Sequence, residues 1–178
     1  MARTIEQACE DAVDHENLLA SCSGFVYAVV SEFAPGAIEA GANADNIVSS
    51  KLLKSGGRWI SIGPNPNDAT AQADEGNLVL GGLTSAEMSY TDGKKREHKA
   101  SMGHVVVVVG GGPSKPMTIM LMDGKTPQAC RGGYPYCYQG AAHSLWRFKG
   151  ETQVDAVFPG QLLSKVHYAY IKLAARTK

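Results

Sequence analysis

The sequence predicts an α+β fold in which short helices come first and an antiparallel β-sheet follows. Helix-like apolar spacing is concentrated in the first third of the chain, and short β-rich runs bounded by glycine, proline or polar clusters make up most of the rest. No repeat or long linker separates the two parts. The 178 residues, 44% of them hydrophobic, therefore suit one domain over residues 1–178.

Helices are expected in three segments. Residues 4–12 have a helix-favouring composition. A second helix follows Ser21 and Ser23, both candidate N-caps, and carries an apolar stripe of helical period that ends at Ala-Pro-Gly. The third covers residues 44–54, with Asn43 as its cap.

After residue 57 the chain consists mostly of predicted strands. The segment RWISIG is β-rich, and the segment ATAQADEG favours one or two weak helical turns. Longer strands are expected at residues 78–83, 104–109, 117–122, 134–139 and 166–173. The polar segment 85–101 is expected to be an exposed loop.

Composition excludes several classes of function. Seventeen Lys and Arg residues balance seventeen Asp and Glu residues, so no protein-wide field attracts nucleic acid or an anionic membrane. No apolar run approaches the ~20 residues of a membrane span. The start of the chain, MARTIEQACEDAVDHENL, is acidic where a secretory signal peptide is basic and then apolar. We therefore expect no nucleic-acid partner, no membrane partner and no signal peptide.

Cys22 is the residue of the helical part that is best placed for chemistry, because it falls on the first turn of the second helix. The unpaired N–H groups and the positive dipole end of a helix start favour a thiolate. Only about a few per cent of an ordinary thiol is ionised at pH 7, so a nucleophilic Cys22 also needs a neighbouring base. The alternative is that Cys22 is a small buried hydrophobic side chain.

His104 is the candidate for that base among five histidines. It begins the run HVVVVV, in which side chains alternate between two faces that are both apolar, as in a buried central strand. On this pattern His104 shares a face with Val106 and Val108. A histidine at the entry of such a strand has a fixed backbone and one end near solvent. The alternative is a hydrogen-bonded histidine without a chemical role.

Five motifs carry a resemblance to a known family: SCSGFVYAVVSEF, GANADNIV, NLVLGGL, MGHVVVVVGG and YPYCYQGAA. In order and spacing they resemble the first family of type VI secretion peptidoglycan amidase effectors, which are relatives of the NlpC-type, papain-like cell-wall peptidases. The resemblance spans roughly residues 5–173. It implies a papain-like NlpC-type fold, with N-terminal helices packed on a central antiparallel sheet.

The resemblance also implies an activity. It implies an antibacterial cysteine amidase that hydrolyses the γ-D-glutamyl-meso-diaminopimelate bond of peptidoglycan stem peptides. Cys22 would be the nucleophile, His104 the general base, and the backbone N–H groups of Cys22 and Ser23 the oxyanion donors. Neither a cofactor nor a metal is implied.

The same resemblance implies how the protein reaches its substrate. Secretion apparatus components would deliver it into the periplasm of a target cell without a signal peptide, and a cognate immunity protein would protect the producing cell. A monomer is expected, because a small secreted hydrolase needs no partner to bury its core.

A third polar residue normally orients the histidine of such a site from the next strand. Gln139, in YPYCYQG, stands at the right stage of the chain, although the family motif has cysteine at that position. Asp123, at the end of the strand after His104, is the rival. For either residue the alternative is a side chain turned to solvent.

The segment from Ser85 to Ser101 is longer than the corresponding connection in the family. It carries Lys94, Lys95 and Arg96, which either hold anionic stem-peptide carboxylates at the border of the cleft or belong to a solvated loop.

The cysteines also depart from the family, whose N-terminal helix is tied by a disulfide to a cysteine near the C-terminus. Cys9 has no such partner and is expected to be a buried free thiol. Cys130 and Cys137 are a candidate disulfide in an oxidising compartment. A zinc site on this pair and His143 is not expected, because the C-x₆-C spacing is unusual and no fourth ligand is apparent.

Two alternative functions stay open. One is a phage or housekeeping cell-wall cysteine endopeptidase. The other is a catalytically silent wall-binding module, in which Cys22 reacts with iodoacetamide no faster than a free cysteine, whereas an active dyad reacts faster near neutral pH.

Overall fold

The computed structural model describes residues 3–91, 94–120, 125, 127–142, 150–158 and 160–174. These residues form a mixed α+β fold around a six-stranded antiparallel sheet, with helices packed on it. The predicted α+β class, with helices preceding a central antiparallel sheet, is confirmed.

Short helices open the chain. They are α1 (Ile5–Val13), α2 (Glu16–Leu19), α3 (Cys22–Phe33) and α4 (Ala44–Ile47), and α4 runs into a π-helical turn at Val48–Leu52. Ser21 caps α3 by accepting a hydrogen bond from the N–H of Gly24 at 3.0 Å. Asn43 caps α4, as expected. The helix predicted over 44–54 is confirmed at its start, and its second half has the wider π geometry.

The central sheet has an order that differs from the chain order. Its strands, in spatial order, are β1 (Ile60–Gly63), β10 (His167–Ile171), β2 (Leu78–Leu83), β5 (His104–Pro113), β8 (Pro135–Tyr138) and β9 (Thr152–Gln153). All neighbouring pairs are antiparallel. The predicted strands 78–83, 104–109, 134–139 and 166–173 are therefore confirmed, and β9 is an addition that the sequence did not predict.

Two small hairpins lie outside this sheet. They pair β3 (Tyr90–Thr91) with β4 (Glu97–His98), and β6 (Met117–Met120) with β7 (Pro127–Cys130). The strand predicted at 117–122 is confirmed over Met117–Met120, and residues 121 and 122 lie outside the described residues.

The expectation of an exposed loop over 85–101 is wrong in its first part. A capping box between Thr84 and Glu87 starts α6 (Ser85–Met88). The apolar side chains of Met88 and Tyr90 are half-buried against the core. Residues 94–99 are exposed, as expected.

Both faces of β5 are buried, as the alternation of its valines predicts. Val105, Val107 and Val109 pack with the N-terminal helices on one face. Val106 and Val108 pack on the other face. That second face is covered by α5 (Pro66–Asp74), α7 (Val154–Val157) and a 3₁₀ helix at Gly160–Lys165. Each fully buried valine contributes about 1.5–3 kcal/mol, so β5 is a firm support for the residue at its start.

Cys9, Cys22, Cys130 and Cys137 are all buried free thiols. The free state of Cys9 is as expected. Cys130 and Cys137 lie on β7 and β8 in the same core cluster, and their disulfide in an oxidising compartment stays a prediction. Within the described residues, no helix is long and apolar enough to cross a membrane.

Candidate active site

The first turn of α3 lies against the central sheet because the apolar stripe of this helix packs there. Phe25, Val26, Val29 and Val30 are buried in the core cluster that also contains the β5 valines. Cys22 stands at the start of the helix and is 7% exposed. The helix therefore holds the thiol at the edge of the core, where a cleft opens.

The surroundings of the Cys22 sulfur act on its pKa in opposite directions. Burial raises the pKa of the thiol, while hydrogen bonds from the backbone N–H groups of Val105, Ser23 and Cys22 itself lower it. The net pKa lies above the ordinary value. The helix start thus works in the expected direction, but burial outweighs it, and the resting group at neutral pH is a thiol.

His104 is the first residue of β5 and is half-buried. Its ring meets the ring of Phe158 edge-on, with 5.7 Å between the centroids. Burial lowers the pKa of His104 to about 4, and the hydrogen bond that its ring makes to Gln139 opposes this shift. The imidazole is therefore neutral at pH 7 and able to accept a proton.

Gln139 follows the last residue of β8 and is 1% exposed. Val107 stands opposite Tyr138 in the antiparallel register, which makes His104 and Gln139 diagonal neighbours on one face of the sheet. Nε2 of His104 and Oε1 of Gln139 form a hydrogen bond. Of the two candidates for the third residue, Gln139 thus contacts the histidine, and Asp123 lies outside the described residues.

This hydrogen bond fixes the tautomer of His104. The carbonyl oxygen of a glutamine side chain can only accept, so Nε2 carries the proton and donates it. In the neutral ring Nδ1 is then the unprotonated nitrogen. The atom that can take a proton is therefore Nδ1.

Cys22, His104 and Gln139 line one cleft of about 1000 Å³. Further lining side chains come from the segment that precedes His104 and from the chain around the 3₁₀ helix: Met88, Tyr90, His98, Lys99, Met102, Val157, Gln161 and Leu162. Such a volume is typical of sites that enclose a small ligand or part of a peptide.

Gly140 joins the β8 side of the site to the start of α3. A Cβ at this position would collide with the carbonyl oxygen of Leu18 and lie 2.6 Å from that of Ser21. The next residue, Ala141, donates its N–H to the carbonyl of Leu19 at 2.8 Å. The chain after Gln139 is thus held against the turn before Cys22. No local pattern in the sequence predicts this contact.

Asp45 holds the other side of the site. Its Oδ1 accepts hydrogen bonds from the N–H and hydroxyl of Ser85 at 2.7 and 2.9 Å, and its Oδ2 accepts from the N–H of Gly103 at 2.9 Å. Burial raises the pKa of this carboxyl, but the hydrogen bonds outweigh it and the net pKa is lowered. Asp45 therefore fixes the residue before His104. Asp45 belongs to the motif GANADNIV, but the motif does not predict that Asp45 binds Ser85 and Gly103.

The basic residues of the segment 85–101 differ in whether they reach the cleft. Lys94, Lys95 and Arg96 are exposed and are not among the cleft-lining residues, whereas His98 and Lys99 of the same segment are. Within the described part of the chain, no group of three or more His, Cys, Asp or Glu side chains is arranged to hold a metal ion. His143 lies outside that part.

No family model matches the chain, and no curated protein matches it.

Proposed function

We propose that this protein is a cysteine amidase in which Cys22 is the nucleophile, His104 the general base and Gln139 the residue that orients the base. The observation that carries the proposal is the hydrogen bond between Gln139 and Nε2 of His104, in a cleft that Cys22 also lines. We further propose that the fold is papain-like, of the NlpC type.

The reaction begins from a neutral pair. Nδ1 of His104 takes the proton of the Cys22 thiol as the sulfur attacks the carbonyl carbon of the amide. The backbone N–H groups of Cys22 and Ser23 donate to the oxyanion, and one such donor is typically worth about 10²–10³ in rate.

Breakdown returns the proton. The imidazolium of His104 protonates the amine nitrogen, the C–N bond breaks, and a thioester on Cys22 remains. Water then attacks the thioester carbonyl while His104 takes a proton from it. The C–S bond breaks, the sulfur recovers the proton, and the free acid leaves. Gln139 stays neutral throughout and keeps Nδ1 directed to the cleft.

The substrate proposed is a peptidoglycan stem peptide, cut between the γ-carboxyl of D-glutamate and meso-diaminopimelate. Support comes from the five motifs that resemble the type VI amidase effectors, three of which contain Cys22, His104 and Gln139. On the same ground we propose delivery into a rival cell's periplasm by secretion apparatus components, a cognate immunity protein as partner, and a monomer.

The test is mass spectrometry of muropeptides after purified Gram-negative sacculi are incubated with the wild type or with Cys22→Ala. We expect a new fragment with the wild type alone, with the mass of a cut at the γ-D-glutamyl-meso-diaminopimelate bond. Cys130→Ala is the matched control, because this cysteine is buried away from the cleft lining and its loss should leave the fragment unchanged.

Unchanged muropeptides from folded, reduced wild type would contradict the amidase. A fragment cut at a different bond would keep the cysteine mechanism and correct the substrate. A fragment that Cys22→Ala also produces would exclude Cys22 as the nucleophile.

A further inference from the structure

One wall of the cleft takes no part in the mechanism above. It is formed by side chains of the segment between β2 and β5, namely Met88, Tyr90, His98, Lys99 and Met102. This is the segment that is longer here than in the family the motifs resemble. These residues line the same cleft as Cys22 and His104.

The wall is held in place at several points. Tyr90 and His98 stand opposite each other in the β3–β4 hairpin, and their rings stack with centroids 4.7 Å apart and an interplanar angle of 16°. The N–H of Ala100 donates to the hydroxyl of Ser89 at 3.0 Å. Glu87 is paired with His167 of β10 at 2.6 Å. A wall fixed before the ligand arrives costs less ordering entropy on binding.

The charged residues that line the cleft are of one sign. Among the described lining residues, Lys99 is the only Lys or Arg, and no Asp or Glu is present. The ammonium of Lys99 lies 3.3 Å from the Glu97 carboxylate, and both side chains are largely exposed. An exposed ion pair of this kind contributes little to stability, so a ligand carboxylate can replace Glu97 at little cost.

Apolar side chains line the same wall of the cleft as Lys99. Met88 and Met102 line the cleft in the same segment, and Met102 is 52% exposed although it is apolar. Methionine is flexible and adapts to irregular aliphatic groups. The wall thus offers one cation beside an apolar surface, which complements a carboxylate on an aliphatic arm.

We propose that this wall is a substrate subsite in which Lys99 binds a carboxylate of the stem peptide while Met88 and Met102 contact its aliphatic part. The proposal rests on the proposed function for the identity of the ligand. It assigns the cationic role in this segment to Lys99, which lines the cleft, rather than to Lys94, Lys95 and Arg96, which do not.

The test measures binding to Cys22→Ala by calorimetry, so that no turnover occurs. The probe is the synthetic tetrapeptide L-alanyl-γ-D-glutamyl-meso-diaminopimelyl-D-alanine, with three companions in which one carboxylate each is replaced by a carboxamide. We expect one companion to bind about fivefold more weakly than the parent, as the loss of about 1 kcal/mol predicts.

We expect the weaker binding of the carboxamide companion to depend on the charge of Lys99. In Cys22→Ala with Lys99→Gln, the parent should bind as weakly as that carboxamide companion, and with Lys99→Arg the difference should return. Lys95→Gln is the matched control: it removes an equal charge from the same segment, but from a residue outside the cleft lining, and should change nothing.

The subsite is overturned if no carboxamide weakens binding, if Lys99→Gln leaves the dependence intact, or if the parent peptide does not bind. The proposed function is tested separately, by cleavage of sacculi with the wild type. It fails if the wild type does not cleave them. Cleavage without charge dependence would reject the subsite alone, and charge-dependent binding without cleavage would reject the amidase alone.

Discussion

The side-chain oxygen of Gln139 accepts a hydrogen bond from Nε2 of His104, across the neighbouring strands β5 and β8. Because the two residues are diagonal neighbours on the same face of the sheet, the bond is set by the register of the strands and not by a flexible loop. It leaves Nδ1 as the basic nitrogen, and it places a neutral partner where a Ser-His-Asp triad has a carboxylate.

Removal of this partner should slow the reaction without abolishing it. General base catalysis is worth about 10²–10⁴ in rate, and a base that loses its orientation forfeits part of that. We expect Gln139→Ala to lower kcat by about tenfold to a hundredfold with little change in KM, measured on a soluble stem peptide.

Gln139→Glu distinguishes orientation from simple packing. A carboxylate beside His104 would stabilise the imidazolium and raise its pKa, so the acid limb of kcat/KM should move to higher pH. If Gln139→Glu is active but its acid limb lies at the same pH as in the wild type, residue 139 does not contact His104 during the reaction.

The pH dependence of the wild type follows from the same ring. Burial lowers the pKa of His104 to about 4, and the proposed base can act only when neutral, so kcat/KM should stay flat from neutral pH and fall as pH drops through about 4. An acid limb near the ordinary value of about 6.5 would contradict the buried state of this ring.

The free energy of unfolding should be measured over the same pH range as kcat/KM, because it also depends on the pKa of His104. The unfolded chain binds a proton at His104 below about 6.5, whereas the folded chain does not until about 4, so the free energy of unfolding should decrease as pH falls through this window. Circular dichroism at each pH separates loss of folded protein from protonation of the base. NMR titration of the imidazole gives the pKa directly.

Local patterns in the sequence predict the parts of this site that depend on neighbouring residues in the chain. The cap at Ser21 and the helical stripe after it locate Cys22, and the alternating valines locate His104 at the start of a buried strand. Cys22 and His104 are therefore identifiable as candidates from the residues that flank them in the chain.

Long-range contacts are not predictable in the same way. Asp45 binds residues 40 and 58 positions further along the chain, and Gly140 packs on the turn before α3. The choice between Gln139 and Asp123 likewise depends on strand register, which no periodicity specifies. The short hairpin β3–β4 escapes sequence-based prediction because its strands have only two residues each.

The reactivity of Cys22 tests the neutral resting pair. Because burial raises the pKa of this thiol, its alkylation by iodoacetamide near neutral pH should not exceed that of free cysteine, so that comparison does not separate an active dyad from a silent module. The rate should instead keep rising with pH beyond about 8.5, where an ordinary thiol begins to level off. His104→Ala should slow alkylation near pH 7 by removing the base. A rate that is already constant from pH 5 upward would show a preformed thiolate–imidazolium pair instead.

Asp45 should contribute both stability and activity. Asp45→Ala leaves the N–H groups of Ser85 and Gly103 without their acceptor, which costs about 1–3 kcal/mol for a buried donor. We expect urea denaturation to show a loss of this size and kcat to fall, because Gly103 precedes His104. Glu39→Gln is the control, since it removes an exposed carboxylate paired with Lys51 and should leave the free energy of unfolding almost unchanged.

The pH dependence of the Asp45 effect has a definite sign. The pKa of Asp45 is lowered in the folded state, so its contribution is present above its unfolded value of about 3.9 and is lost as pH falls through the folded value. The difference in unfolding free energy between wild type and Asp45→Asn should therefore shrink in acid. A difference that is constant down to pH 2 would assign the effect to packing.

Gly140 gives the sharpest test of how the site is assembled. A methyl group there meets two backbone carbonyl oxygens, those of Leu18 and Ser21, and backbone cannot move aside as a flexible side chain does. Overpacking of this kind costs about 1–3 kcal/mol, and relief requires the chain after Gln139 to separate from the turn before Cys22. We expect Gly140→Ala to be less stable by this amount and to lose most of its kcat at temperatures where it remains folded.

Gly56→Ala provides the matched comparison, because a Cβ at Gly56 has no atom within 4 Å and its backbone is not in the left-handed region. It should keep both stability and activity. If Gly140→Ala were destabilised yet fully active when folded, the contact would serve the fold alone. Loss of activity beyond the unfolded fraction would instead mean that the approach of β8 to the start of α3 sets the distance between Cys22 and His104, the proposed nucleophile and base.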